Sequence, residues 1–561
     1  MTSRTAGFLL SGFTVLVCIF LAFDLVHASG DPTPDASGTV AVQTQEESGA
    51  SPTGTVLPAC GTASGTRFNL EARSDPVPQN ETAVDFLPGS GLSGGDLVVG
   101  GANDFRLLTP GTATPGDFRG VFGMSNQTGY YVHRNGGSAN PCSADFEGGF
   151  PTLKNPQNNA TLVGVGDPAI VADTARQAIF FADERMGLGE GSASAIGIFR
   201  ATAATLNSSS SCPDGTHNEA AARLCWPTSI LVDIGTIFTT LDIRPNLVLD
   251  ERADGGGPGA GDLYVSGARA SAYSVFIAAC RNNLSACSSS VKISGEDVAD
   301  NPHIAVRPDG GITASYTAST SQGLDIKWVT CSPNGAPNPP TCAAAKRITT
   351  EVRALPYNPF GGGPGLAAAQ FVIRTFPKHT HRLDANGTET YVVWDRCKVS
   401  TSVAYPGITF TNVCADADLR MAASSNNGQT WILADVDVAA QDQFQPWIGT
   451  DAGTNIVNIV YYSSQSDSLQ HRSKVVLRQI LPGSSTPDPV GAAQTITSAG
   501  MDPAADPFLQ GIYIGDYIGV AARAAGGRSR AYIHYMHSAV SGTYNGVKDP
   551  EQNNHLSRFD Y

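Results

Sequence analysis

Four arginines recur at comparable places in this 561-residue chain: Arg106, Arg185, Arg269 and Arg396, each at the end of an apolar, strand-like run. Asp104, Asp183 and Asp395 stand beside three of them. A second set of polar residues, Asp167, Arg244, Asn301, Gln445 and Asp516, stands where such runs begin. A guanidinium binds a carboxylate through two parallel hydrogen bonds, so arginines repeated around one site suit an anionic ligand. The aspartates beside them could act as acids. The competing reading is that each arginine pairs with a neighbouring Asp or Glu and ties structural elements together.

Other chemistry leaves fainter traces. His379 and His381 alternate, which on a strand puts both imidazoles on one face, as a metal site needs. No third ligand stands at a recognisable spacing, so a solvated strand pair competes with that idea. The Gly-rich stretches at Gly255 and Gly361 lack a following Lys-Ser/Thr and read as turns, not phosphate cradles. No Gly-x-Ser-x-Gly elbow is present. No cofactor is expected. Structural calcium at the turn aspartates stays open, although no EF-hand run occurs. Most tryptophans read as packing residues; Trp447, just after Pro446 at a strand start, could reach a sugar face.

The elements that must hold these residues follow from composition and repetition. Charged residues make up 15% of the chain and glycine numbers 61, a balance that favours short strands and tight turns. The net charge of −15, without basic runs, argues against a nucleic-acid partner. A strand, a Gly/Asp turn and a second strand recur from Glu81, Asp167, Arg244, Asn301, His381 (a weak copy), Gln445 and Gly515. The polar residue opening each copy is often followed by proline. Two more strand-like runs follow each copy. Four antiparallel strands per repeat describe one blade of a β-propeller. The expected fold is therefore all-β, a propeller of seven four-stranded blades, with six blades and an irregular hairpin as the alternative. A strand near Thr66 would close the ring beside the C-terminal "HLSRFDY".

"SSNNGQTW", Ser424 to Trp431, lies between a third and a fourth strand. It resembles the Asp-box (BNR) turn of the sialidase-like propeller superfamily, with Ser424, Asn426, Gly428 and Trp431 at the four defining positions. "HRNGG" at His133 to Gly137 is similar to a degenerate copy. The likeness spans about residues 75–561. It implies a propeller whose mouth recognises a glycan or another anionic ligand, with Arg106, Arg185, Arg269, Arg396, Asp104, Asp167, Asp183, Asp395 and Asp516 as mouth candidates. It also implies an alternative, a sialidase-type glycoside hydrolase, in which an arginine triad would hold the substrate carboxylate. Such an enzyme needs a Tyr/Glu nucleophile pair and an Asp acid. Tyr517 and Tyr535, with Glu184 or Glu251, lie in suitable regions without a unique pair, and no catalytic residue is assigned. The Phe/Tyr-Arg-Ile/Leu-Pro motif of sialidases is replaced by "FRLLTP" at Phe105 to Pro110. A non-enzymatic envelope or matrix scaffold is the third reading.

The N-terminus reads as an export signal. Arg4 precedes an apolar run from Phe8 to Phe23, and Val26-His27-Ala28 offers a cleavage site after Ala28; an uncleaved anchor is the alternative. The expected organisation is a signal peptide over 1–28, a disordered Ser/Thr/Pro/Gly-rich leader over 29–58 and one propeller over 59–561. The mature protein would be secreted or extracytoplasmic, without a membrane span, and its partner an extracellular carbohydrate or protein. Setting Cys18 aside leaves ten cysteines. Four neighbouring pairs stand out: Cys212/Cys225, Cys280/Cys287, Cys331/Cys342 and Cys397/Cys414. Elimination then leaves Cys60 with Cys142, although spacing alone does not prove connectivity.

Overall fold

Alternating apolar residues and Gly-rich turns fold, as their period requires, into seven antiparallel sheets of four or five strands arranged as a β-propeller of four-stranded blades. The computed structural model describes residues 55–56, 66–67, 79–104, 128–134, 144–187, 193–212, 219–236, 241–253, 255–352, 366–367, 373–384, 387–405, 408–437, 439, 441–482, 491–497, 500–502, 514–525, 528–538, 541–544, 547–550 and 553–561. The innermost strands of the seven blades are Gln79–Leu87, Thr161–Asp173, Asp242–Leu249, Val298–Val306, Lys378–Asp384, Gln443–Asp451 and Gly519–Ala525. All seven repeats read from the sequence correspond to blades, the weak fifth copy included. That copy is weak because its second and third strands, Gly387–Tyr405 and Ile408–Ser424, extend into a long hairpin.

The ring closes in the seventh blade, where segments near either end of the described residues pair. Thr66–Arg67 pairs with Leu556 and His555, and Thr55–Val56 pairs with Asp560 and Phe559. Across the same seam, Arg530 reaches Asp96 of the first blade at 2.7 Å, and His534 Nδ1 lies 2.8 Å from the Ala83 carbonyl.

Apolar side chains fill the seams between blades. Tyr130, Phe150, Phe181, Phe199 and Trp226 form one buried cluster between the first and second blades. Fully burying one large apolar side chain stabilises by roughly 1.5–3 kcal/mol, so such seams hold the ring together. Four disulfides add to this: Cys212–Cys225, Cys280–Cys287, Cys331–Cys342 and Cys397–Cys414. The first three bridge the segment between the third and fourth strands of successive blades; the fourth staples the long hairpin. Cys60 and Cys142 lie outside the described residues, as do Arg106, the segment from Asn135 to Gly137, and residues 1–54.

The Ser424–Trp431 turn is held by its own polar side chains. Gly428 N–H donates to Ser424 Oγ at 2.9 Å and Thr430 N–H to Asn426 Oδ1 at 3.0 Å. Gly428 has φ +74, and a Cβ there would lie 2.3 Å from Trp328 Nε1. Trp431 meets Trp328 of the preceding blade edge-on, with ring centroids 5.2 Å apart.

Candidate functional site at the propeller mouth

The polar-proline pairs that open the repeats have a definite backbone form. In the first blade Asn80 pairs with Asn103 and Ala83 with Gly101, so the inner strand carries one extra residue. The same one-residue bulge occurs in the second, third, fourth and sixth blades. At each bulge a non-glycine residue takes the left-handed conformation: Glu81 (φ 55), Asp167 (φ 56), Arg244 (φ 54), Asn301 (φ 57) and Gln445 (φ 50). The next residue is Pro168, Pro245, Pro302 or Pro446 in four of them, and a proline in a bulge loses no ladder hydrogen bond. A bulge re-aims a side chain, and here five polar ones turn toward one mouth.

There they meet across the axis. Arg244 of the third blade holds Asp300 at 2.6 Å and reaches Asp516, which precedes the seventh blade, at 3.5 Å. The Arg244 N–H donates to Asp167 at 2.8 Å. Asn103 bridges two of the acids: its amide donates to Glu81, and its carbonyl accepts the Asp167 N–H at 2.8 Å. Gln445 donates to the Gly515 carbonyl, and Tyr517 to the Pro168 carbonyl at 3.3 Å. Glu184 comes from the second strand of the second blade, one residue out of phase with Asp183 and Arg185, so it faces the other way, toward Asp167 and Arg244.

Charges in this ring are strongly perturbed. Burial, then the neighbouring Asp167 and Asp516 carboxylates, push Glu81 well above the usual carboxylate range. Burial and Asp167 do the same to Glu184, against the pull of Arg244. Burial also lifts Asp395, which accepts the Gln445 N–H at 2.9 Å, to about 7. Lys378, 7% exposed, lies over Trp447, Tyr517 and Phe376, with its Nζ 4.3, 5.5 and 5.6 Å from the ring centroids. Burial and the Arg244 guanidinium bring its amine down to about 7. Glu184 Oε1, Asn301 Oδ1, Gln445 Oε1 and Asp516 Oδ1 are buried without a hydrogen-bond partner among the described residues.

Next to this ring lies a cavity of about 890 Å³, walled by the inner strands of all seven blades; Asn246, His303, His379, Trp447 and Arg523 line it. His379 and His381 do share a face, both approaching Thr313 Oγ1, at 3.0 and 2.7 Å. They are buried rather than solvated. The fourth blade supplies His303, whose Nδ1 lies 3.2 Å from that of His379. Burial lowers all three imidazoles, His381 to about 3. Among the described residues no group of three or more His, Cys, Asp or Glu is arranged to hold a metal ion.

The arginines at the strand ends are placed differently from those at the starts. Arg185 is fully buried against Asp183 at 2.6 Å, donates to the Pro151 carbonyl at 2.9 Å and lies over Phe199. Burial lifts Asp183 to about 6 despite that partner. Arg269 is chelated by Asp233 of the preceding blade at 2.6 Å, and Arg396 pairs with Asp435 at 3.0 Å. Burial opposes the ionised form of Asp233, yet the bonds from Arg269 and Ser290 outweigh it and hold its carboxyl low. Asp104 accepts the Tyr131 hydroxyl at 2.7 Å. Of the candidates read from the sequence, Asp167 and Asp516 come together at the mouth with Arg244, and Asp395 supports Gln445. Glu81 and Lys378 were not singled out. Glu81 has Thr82 where other copies have proline, and Lys378 precedes the point at which the fifth copy was recognised.

No family model and no curated protein matches the chain. Solved structures do. An α-L-arabinofuranosidase of Fusarium graminearum is similar at 10% identity and a TM-score of 0.36, over 73% of this chain and 92% of that one. An α-L-arabinanase of Penicillium chrysogenum gives 10% and 0.36, over 79% and 99%. The NanB sialidase of Streptococcus pneumoniae gives 10% and 0.37, over 89% and 70%. At this identity the likeness is one of fold alone.

Proposed function

We propose that the protein is an extracytoplasmic, carbohydrate-active propeller whose mouth, built by Glu81, Asp167, Arg244 and Asp516, binds a glycan and cleaves it by acid–base chemistry. The observation that carries this reading is the separation of carboxyl environments within one ring. Glu81 is biased toward its protonated form, while Asp516 lies against the Arg244 guanidinium. Glycoside cleavage needs that division, one carboxyl to give a proton to the leaving oxygen and another to act as nucleophile or base. Glu81 is the proton donor in this scheme, Asp516 the second carboxyl, and Arg244 orients it. Sugar hydroxyls would satisfy Asn301 Oδ1 and Gln445 Oε1, and the half-buried Trp447 offers a ring face. The similar solved structures include an arabinanase complexed with arabinobiose, which makes arabino-oligosaccharides one class to try.

A sialidase-type activity is the narrower form of the proposal. Arg185, Arg269 and Arg396 each have their own carboxylate, so a substrate carboxylate would have to rely on Arg244 and Lys378 instead. The four disulfides suit an oxidising compartment, and among the described residues no helix is long and apolar enough to cross a membrane.

The test is NMR of the mature chain with sialyllactose and with arabino-oligosaccharides, read by saturation transfer and followed for product. Turnover that falls at least about a hundredfold in Glu81→Gln, with an unchanged melting curve, supports the scheme. Saturation transfer without turnover would leave a lectin-like mouth and remove the catalytic step. Neither signal, across neutral and acidic glycans, would overturn the glycan reading and favour a scaffold.

A further inference from the structure

The layer of the channel just past the ring carries groups that cleavage at the mouth does not use. Two residues beyond the bulge, the third and fourth blades have Asn246 and His303, where the first and second have only Ala83 and Ala169. All four line the cavity, whereas Glu81, Asp167, Arg244 and Asp516 do not. Asn246 Oδ1 accepts the Ile304 N–H at 2.9 Å, which turns its amide Nδ2 away from that strand. His303 Nδ1 accepts the His379 N–H at 3.3 Å, which leaves the ring proton on Nε2. The two side chains are only 7% and 6% exposed. Yet Asn246 Nδ2 and His303 Nε2 have no hydrogen-bond partner among the described residues, and both open on the cavity. A purely structural polar side chain at this depth has its hydrogen bonds made within the protein. Here two N–H donors on adjacent blades face one space.

That space opens away from the mouth. The turns that follow the inner strands form its far rim, where Gln177, Pro308 and Ala452 are exposed. Each rim arginine already has a carboxylate: Arg307 holds Asp309 at 2.8 Å, Arg252 holds Asp250 at 2.6 Å, and Arg523 holds Asp85 at 2.9 Å and Glu251 at 2.6 Å. Burial keeps His303 uncharged. An ionised ligand would lose its hydration here without gaining a free counter-charge, and a wholly apolar one would leave both donors unpaired. An uncharged ligand rich in oxygen acceptors meets both conditions. The Thr380 and Thr450 hydroxyls, 2.9 Å apart on the fifth and sixth blades, add polar contacts of the same kind. The cavity's 890 Å³ falls within the range of about 300–1,000 Å³ usual for small-molecule sites. We propose that this chamber is a second binding site, for a small uncharged sugar or polyol that enters from the face opposite the mouth and accepts hydrogen bonds from Asn246 Nδ2 and His303 Nε2. The site stands apart from cleavage at the mouth, because neither donor belongs to that scheme and entry is at the other end of the channel. Trp447, edge-on to His303 with ring centroids 5.6 Å apart, is a wall that the two sites share.

The experiment is a saturation-transfer titration of the intact mature chain with lactose, a neutral disaccharide, beside two variants. Asn246→Asp keeps the oxygen that holds the Ile304 N–H and puts an acceptor where the Nδ2 donor stood. With an unchanged melting curve, its affinity for lactose should fall at least about tenfold. Ala452→Cys lies on the exposed rim and is capped with a bulky polyethylene glycol maleimide. Uncapped it should bind lactose like the parent, and capped it should lose at least about tenfold in affinity or in association rate. The cap leaves both donors untouched, so this arm stands even if Asn246→Asp does not fold. Binding that the cap leaves unchanged, or that a folded Asn246→Asp retains within about twofold, would place the sugar elsewhere and overturn the proposal. No binding at roughly 10 mM lactose would overturn it as well. Neither result touches cleavage at the mouth, which is read separately from turnover in Glu81→Gln.

Discussion

Replacing Arg185 by methionine separates a structural from a ligand-binding role for the strand-end arginines. Methionine keeps an apolar stem but removes the guanidinium that lies over Phe199, leaving the fully buried Asp183 without its 2.6 Å partner. Breaking a buried pair from one side costs about 3–5 kcal/mol, because a desolvated charge is left behind. The unfolding entropy of a ring this long, at roughly 2.1 cal/mol/K per residue, is on the order of 1 kcal/mol/K, so Tm should fall by about 3–5 °C. The sign of the pH dependence follows from Asp183, whose folded value of about 6 lies above its ordinary 3.8. A raised acid contributes stability that is fully present below the unfolded value and lost as pH rises through the folded one. Removing Arg185 raises the folded value further, so the variant should be most destabilised near pH 8 and recover toward about pH 5, where Asp183 carries a proton. Thermal unfolding by circular dichroism at both pH values reads this directly. A variant that melts within about 1 °C of the parent at pH 8, yet loses glycan binding, would refute the structural role.

Two further predictions rest on the fifth blade and its seam. The depressed values of His303, His379 and His381 mean that the folded state takes up fewer protons than the unfolded chain once pH falls below about 6.5. Stability from these groups is therefore present above that value and lost as pH drops toward about 3, and His379→Gln should flatten the acid limb of a Tm-versus-pH curve. An acid limb equally steep in the variant would remove the cluster from the account. Gly428→Ala forces a side chain onto φ +74 and within 2.3 Å of Trp328 Nε1, and should cost about 2 kcal/mol or more in unfolding by denaturant, with Trp fluorescence altered. A change under about 0.5 kcal/mol would mean that the turn and Trp328 relax freely.

The seven blades were legible because strand alternation and turn glycines repeat, and both are local properties. The four described disulfides were legible for the same reason, each joining cysteines at most 17 residues apart. The partners of the arginines were not. Asp233 stands 36 residues before Arg269 and on another blade, and pairing across a seam depends on how blades pack, which no local pattern records. Glu184 was named only as one of two carboxyl candidates beside a tyrosine, although strand parity alone sets it opposite Asp183 and Arg185. Lys378 was missed for a reason of register. The fifth copy was recognised from His381, whereas its inner strand starts at Lys378, directly after Pro377, and a slip of this kind hides the residue at the mouth.

The bulges give the mouth a physical argument of its own. A non-glycine residue held in the left-handed region costs on the order of 1 kcal/mol or more, and five equivalent positions carry that strain. Ring closure does not demand it, because the described ladders of the fifth and seventh inner strands run without a register shift. Nor does chain reversal, since the bulges lie near the start of the strands and not in the turns. What the five positions share is a polar side chain turned toward the axis, in the same ring where Arg244 meets Asp516 across three blades. Had the fold needed only a bend, asparagine or glycine at each position would supply it at lower cost. Two of the five are Asp167 and Asn301, which tolerate the left-handed region; the other three are Glu81, Arg244 and Gln445, residues that bear the strain less easily and offer a ligand more, as expected of a binding mouth rather than of a structural plug.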